Sequence, residues 1–386
     1  MHGKRTTRGA LLALGTALVG GGSSPVAQGL VIRDDVADQV YIDAALETEF
    51  DSVGRIFTNA GQCTATLIAP DIILTAAHCF GATTLTPTAN TFQLQVADPE
   101  NPGQSVTASV SLAGSTVDIH PGWTGDFNTG VDLALVYLAS PITEVAPNQI
   151  SFATPEEVET QTGTAVGMGR TGDGVTGAVA GTEGTKRAGE NRIDSYQTLA
   201  GSSVEYFLAD FDEPRVIFNQ ALPTEFAVAN GDSGGPLLVA DAVTGENRIT
   251  AVGSFISGSD GAADSDYGDT SGWTALYAGF DWLFPRLADQ SQGVFFGDAT
   301  FDGVVDLLDF DVLSQSFGLA GATWSDGDFN GDGVVDLIDF DVLAQNFGAS
   351  YAAGAPAATP EPGSAIALAA LLPAVLRRRR SERGSA

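Results

Sequence analysis

The chain has 386 residues, with 48 Asp and Glu against 17 Lys and Arg, a formal net charge of -31. A surface this acidic repels phosphate backbones and excludes nucleic acid as a partner. With 44% hydrophobic and 17% charged residues, the chain is not disordered throughout, and two cysteines are too few for a disulfide-dense scaffold.

The first segment, residues 1–29, begins with Lys4, Arg5 and Arg8, followed by an apolar run over 10–20 and small residues through Gly29. That order predicts a secretory signal peptide, cleaved after Ala27 or Gly29. The apolar run is too short for a membrane span. A secreted or cell-surface location is expected.

Residues 30–290 form the next segment. Short apolar runs at 65–69, 72–77, 131–138 and 235–240 alternate with Gly, Thr, Asn and Asp. They predict the strands of a mainly β body. Residues 171–189 are rich in Gly and Thr and predict a surface loop; residues 277–284 predict the start of a closing helix.

Three histidines occur, and His2 leaves with the signal. His78 lies in Thr75-Ala76-Ala77-His78-Cys79, directly after an apolar run. Asp132 sits in the apolar strand Val131-Asp132-Leu133-Ala134-Leu135, where a lone carboxylate is costly without a partner. Ser233 lies in Gly231-Asp232-Ser233-Gly234-Gly235-Pro236, whose glycines permit a tight turn. A serine nucleophile needs a base, which His78 supplies, and the imidazole needs a carboxylate, which Asp132 supplies. The backbone N–H groups of Gly231 and Ser233 are the expected donors to an oxyanion. His120, in an Ile119-His120-Pro121 turn, is read as structural.

These three motifs, in the order His, Asp, Ser and spaced by 54 and 101 residues, resemble the trypsin/chymotrypsin family of serine proteases. The resemblance implies two six-stranded antiparallel β-barrels with the site between them. It also implies endopeptidase action on a protein or peptide substrate through an acyl-enzyme, with no cofactor for catalysis. In an exported chain it further implies a Cys63–Cys79 disulfide beside the histidine. The position six before the serine, the expected base of the specificity pocket, is Ala227, and Gly258 opens the loop beside it. An apolar base predicts cleavage after small or apolar residues, although Asp264 and Asp266 in the 258–268 loop are a possible source of acidity. No Ile-Val-Gly-Gly activation sequence occurs. Either signal cleavage exposes Leu30 or Val31 to pair with Asp232, or the site forms without that ion pair.

Residues 291–348 contain a repeat of period 30, seen in 297–318 and 327–348. Oxygen-bearing side chains recur at loop positions 1, 3, 5, 9 and 12: Asp298, Thr300, Asp302, Asp306 and Asp309, then Asp328, Asn330, Asp332, Asp336 and Asp339. Val304 and Val334 stand where a backbone carbonyl is the ligand, and Gly303 and Gly333 where the loop turns sharply. This is an EF-hand pattern with Asp at the last position. Phe310, Leu313 and Phe317, with their repeats Phe340, Leu343 and Phe347, follow at helical spacing. The tandem resembles a type I dockerin, a small α-helical module, and implies two calcium ions and a cohesin-like partner. The positions that vary for partner choice are Leu307-Leu308 and Leu337-Ile338, whose apolar character predicts internal packing. A rival reading makes the whole chain a non-catalytic adhesion or scaffold protein working through this module.

The last segment, residues 349–386, carries Pro360-Glu361-Pro362, an apolar run over 365–376 and the cluster Arg377–Arg380. It resembles a PEP-CTERM sorting tail and implies exosortase processing, with transient membrane anchoring.

Overall fold

The computed structural model describes residues 29–350 except 59, 81–89, 99, 102, 128–129, 152, 199–204, 243–244 and 288–295. The expected signal peptide up to residue 28 and the sorting tail beyond 350 lie outside the described residues.

Two units are present. The first, covering 29–241 and 246–278 of the described residues, is mainly β. It starts with β1 (Leu30–Ile32) and the short helix α1 (Asp38–Ala44). Then come β2 (Val53–Thr58), β3 (Gly61–Ala69), β4 (Ile72–Thr75), β5 (Thr91–Ala97), β6 (Ser105–Ser111), β7 (Thr116–Ile119) and β8 (Ala134–Tyr137). These seven strands make one antiparallel sheet in the order β6-β5-β2-β3-β4-β8-β7. In β5 every second residue is buried, Phe92, Leu94 and Val96, the period of a strand with one face on a core. The interior strand β4 is buried throughout, so it begins with the continuous apolar run Ile72-Ile73-Leu74.

After helix α2 (Pro155–Val158) come β9 (Thr162–Gly167), β10 (Thr171–Asp173), β11 (Gly177–Val179), β12 (Arg187–Arg192), β13 (Ser195–Thr198) and β14 (Glu205–Asp210). The last strands are β15 (Phe226–Ala227), β16 (Pro236–Ala240), β17 (Asn247–Ser257) and β18 (Thr270–Ala275). A second seven-stranded sheet has the order β12-β9-β16-β17-β18-β14-β13, and a four-stranded sheet has the order β11-β10-β1-β15. Phe207, Phe226, Leu237 and Trp273 lie in one buried cluster behind the second sheet.

Two expectations are corrected here. The two main sheets have seven strands each rather than six, and among the described residues no pairing joins the edge strands into a closed barrel. The edges account for this. Strand β6 is Ser- and Thr-rich with every second residue exposed, which suits a solvated edge. Residues 171–189 are not one loop. They hold β10, β11 and the start of β12, because β1 pairs with β10 in parallel and Asp173 accepts the N–H groups of Val175 and Thr176 at the hairpin turn.

The second unit includes α3 (Phe280–Leu287), α4 (Leu307–Ser316) and α5 (Leu337–Asn346). A helix does begin where the sequence predicts one to close the β body, but α3 groups with the second unit instead. Each of the two repeats is a loop feeding one helix, and the two related helices meet through Phe310 and Phe340, with ring centroids 6.2 Å apart. Gly297 and Gly327 repeat the same device. Each has positive φ, and a Cβ there would stand 3.0 Å from the Cα of Leu343 and Leu313 respectively. Trp324 is buried, and its indole N–H donates to Asp298 O at 2.6 Å. Leu307, Leu308, Leu337 and Ile338 are more than half exposed, contrary to the expected internal packing. They occupy the first turns of α4 and α5, while Leu313 and Leu343 on other faces fill the core.

Candidate active site

His78 is carried by a short 3-10 turn, Ala77–Phe80, that follows β4 directly. The Cys63–Cys79 disulfide joins this turn to β3. Thr58 Oγ1 donates to Cys79 O at 2.5 Å from β2, so three elements converge on the turn.

Asp132 is fully buried and lies two residues ahead of β8, rather than inside a strand as the sequence suggests. Its Oδ1 accepts the backbone N–H of His78 at 2.9 Å, and its Oδ2 lies 2.7 Å from His78 Nδ1. Ser254, on β17, donates its hydroxyl to the same Oδ2 at 2.5 Å. Three donors thus offset the cost of burying one carboxylate. They also fix the imidazole with its Nδ1 toward Asp132, so that Nε2 is the ring nitrogen turned away from the carboxylate.

Ser233 lies in the turn between β15 and β16. The turn requires glycine at two places. Gly231 has φ +99, and a Cβ there would stand 2.8 Å from Gly169 Cα. Gly234 has φ +82, and a Cβ would stand 2.0 Å from Thr75 Oγ1. Ser233 O accepts from Thr64 N at 2.8 Å, and Thr64 Oγ1 donates to Gly231 O at 2.9 Å, pinning the turn to β3.

Between Gly231 and Ser233, Asp232 turns inward and is 2% exposed. Its carboxylate accepts the N–H groups of Gly169 at 2.7 Å, Ala229 at 2.9 Å and Leu30 at 3.3 Å. Burial pushes its pKa up to about 7, against the lowering effect of those bonds. Leu30 is itself fully buried and holds φ +58, an uncommon value for a non-glycine residue.

His78 and Ser233 line the same cleft, of about 550 Å³. Phe127, Phe255, Ile256 and Ala263 line it as well, and so do Val228 and Ala229 from the segment before Ser233. Arg170 and Glu183 form an ion pair at 2.9 Å on the cleft lining.

The expected pocket residues do not reach this cleft. Ala227 is fully buried in a cluster with Val31 and Phe211, because its strand pairs with β1. Gly258 packs against the backbone of Ala262, and neither Asp264 nor Asp266 lines the cleft. The neighbouring residues Val228, Ala229, Ile256 and Ala263 supply the apolar lining instead. His120 plays a local part, its Nδ1 accepting from Gly122 N at 3.0 Å. Sequence reasoning missed Ser254 and Phe127. Ser254 is one serine within a buried strand, and nothing local distinguishes it.

In the repeat, Asp298, Asp309, Asp328 and Asp339 are all buried. Asp298 Oδ2 accepts from Gly303 N at 2.9 Å and Asp328 Oδ2 from Gly333 N at 2.7 Å. Asp306 and Asp336 cap α4 and α5. Burial first, and the charge of Asp309 second, push the Asp298 carboxyl up to about 7. Burial also raises the Asp309 and Asp339 carboxyls. No Lys or Arg occurs in 297–348 to neutralise them.

The sequence model of the Trypsin family matches residues 43–267, more than half of the chain. The chain belongs to that family and is a serine endopeptidase acting on protein or peptide substrates. A search among curated proteins returns no match.

Proposed function

We propose that this is an exported endopeptidase whose catalytic residues are His78, Asp132 and Ser233. The observation that carries the reading is the His78 imidazole, held to a buried Asp132 on the wall of the cleft that Ser233 also lines. Ser233 Oγ attacks the scissile carbonyl carbon as His78 Nε2 takes its proton. The N–H groups of Gly231 and Ser233 stabilise the oxyanion. The C–N bond then breaks, and His78 returns the proton to the leaving amine. Water repeats the sequence on the acyl-enzyme, giving up a proton through His78 and releasing the acid and Ser233.

The apolar residues Val228, Ile256 and Ala263 support cleavage after small or apolar residues, as does the pairing of Glu183 with Arg170. Cleavage profiling on a peptide library, beside His78→Ala, tests both points. Small aliphatic residues at the cleaved position in the parent, and no cleavage by the variant, are expected. A profile dominated by Arg or Lys would overturn the specificity, and undiminished cleavage by His78→Ala would overturn the triad.

Maturation at the Gly29–Leu30 bond completes this reading. Leu30 N already lies against Asp232, so an α-ammonium formed there would meet a buried carboxylate. Amino-terminal sequencing of the exported protein should start at Leu30.

The tandem loops are assigned as two calcium sites. Buried, mutually repelling carboxylates without a basic neighbour are suited to a bound cation, which would supply the missing positive charge. Asp298, Thr300, Asp302, Val304 O, Asp306 and Asp309 would hold the first ion, and Asp328, Asn330, Asp332, Val334 O, Asp336 and Asp339 the second. The exposed pairs Leu307-Leu308 and Leu337-Ile338 support association with a cohesin-like partner. The tail is assigned to exosortase processing at the cell surface.

A further inference from the structure

Tyr206, on β14, is fully buried and takes no part in the proposed triad. Its hydroxyl donates to Phe127 O, with Gly130 O a further acceptor at 3.3 Å. Its ring meets Phe255 edge-on, with centroids 5.2 Å apart. Phe127 and Phe255 both line the cleft, yet they come from different places, the segment ahead of Asp132 and the strand β17. The Phe127 ring in turn lies edge-on to the His78 imidazole, with centroids 5.1 Å apart and planes at 71°. Trp123 packs on Phe127 at 5.7 Å.

Register places Tyr206 opposite Thr274, within the second sheet. His78 and Phe127 belong to segments flanking strands of the first. One side chain therefore ties the segment covering the imidazole to the other sheet. Packing alone at a buried strand position does not require a hydroxyl, since Phe would fill nearly the same volume. The hydroxyl is what distinguishes Tyr206, and its acceptors are carbonyls of one short segment. Burial, and the charges of Asp132 and Asp126, raise its pKa, so it stays a donor at neutral pH.

We propose that Tyr206 is a positioning residue of this protease, holding the Phe127 ring against His78 and so fixing the cleft wall beside the general base. The inference rests on the triad reading above. Without the tether, the Phe127 segment loses its bond to the second sheet, and the wall that a peptide must meet becomes variable.

The test compares processed enzyme with Tyr206→Phe in two assays. One is the rate of labelling by a small fluorophosphonate, which needs only the activated serine. The other is kcat/KM for a peptide with residues on both sides of the cleaved bond. Loss of one buried hydrogen bond should lower the peptide kcat/KM about tenfold more than the labelling rate. Phe127→Ala should show the same selective loss, and adding Tyr206→Phe to it should cost little more. Equal proportional loss in both assays, or full additivity with Phe127→Ala, would overturn the positioning role. A folded parent that does not label at all would remove the triad reading and the inference with it. A parent that labels while Tyr206→Phe keeps the ratio of the two rates would remove the inference alone.

Discussion

Asp132 accepts from His78 twice and from Ser254 once, and each contact has a separable consequence. Asp132→Asn replaces an acceptor by a group that must donate, so it disfavours the reactive tautomer. On the proposed mechanism kcat should fall by about 10³–10⁴ with the fold intact. Ser254→Ala leaves the His78 contacts in place, and kcat should fall only about tenfold. A Ser254→Ala variant as damaged as Asp132→Asn would mean that Ser254 has a larger part. Asp232 makes a different prediction, in stability. Its folded pKa is about 7 against an ordinary carboxylate value of 3.8. The folded state therefore keeps a proton that the unfolded chain loses. The resulting stabilisation is complete below the unfolded value and is lost as pH rises toward 7. In chain still joined at Leu30, thermal melts of the parent minus those of Asp232→Asn should show this loss between about pH 4 and 7. In chain beginning at Leu30, the α-ammonium should flatten that difference. An identical pH dependence in the two forms would contradict the pairing.

At the scale of elements, the Cys63–Cys79 bridge closes a sequence separation of 16 and fixes the turn that bears His78. Replacing both cysteines by serine should cost about 3 kcal/mol in unfolding free energy, measured by denaturant titration. On the proposed specificity, the end of β17 bounds the pocket. Ile256→Gly removes a branched side chain from the cleft lining and should shift preference toward larger residues at the cleaved position, read by library profiling. An unchanged profile would show that Ile256 does not face the substrate. The elements also explain what the sequence made legible. His78, Asp132 and Ser233 each sit in a short motif whose backbone demands are local. Ser254 and Tyr206 act across separations of 122 and 79 residues, which only the sheet order brings together. Counting back from Ser233 reached Ala227, one residue from the cleft, because the pairing of β15 with β1 draws that side chain into the core. The strand count came with the resemblance, and the polar edge strands β6 and β13 carry little apolar signal from which the sequence could have amended it.

Over the whole molecule, nine basic residues lie between positions 9 and 376, and none lies in 297–348. On the calcium reading, chelation should leave the buried Asp pairs of the repeat repelling one another. Limited proteolysis of the full chain should then open 297–350 in chelator and spare it in calcium. Asp339→Ala should make the second loop sensitive at calcium concentrations that still protect the first. Cleavage indifferent to calcium would count against the assignment. The period-30 repeat was readable because each loop–helix unit is local. The exposure of Leu307, Leu308, Leu337 and Ile338 was not, since composition alone favours burying them.

The most direct test of the central claim uses purified residues 30–350 in calcium. Labelling by a fluorophosphonate serine-hydrolase probe is measured beside Ser233→Ala. The account predicts that the parent labels and Ser233→Ala does not, as expected of a serine activated by His78 beside a formed oxyanion site. A folded parent that fails to label, or a Ser233→Ala variant that labels equally, would contradict it.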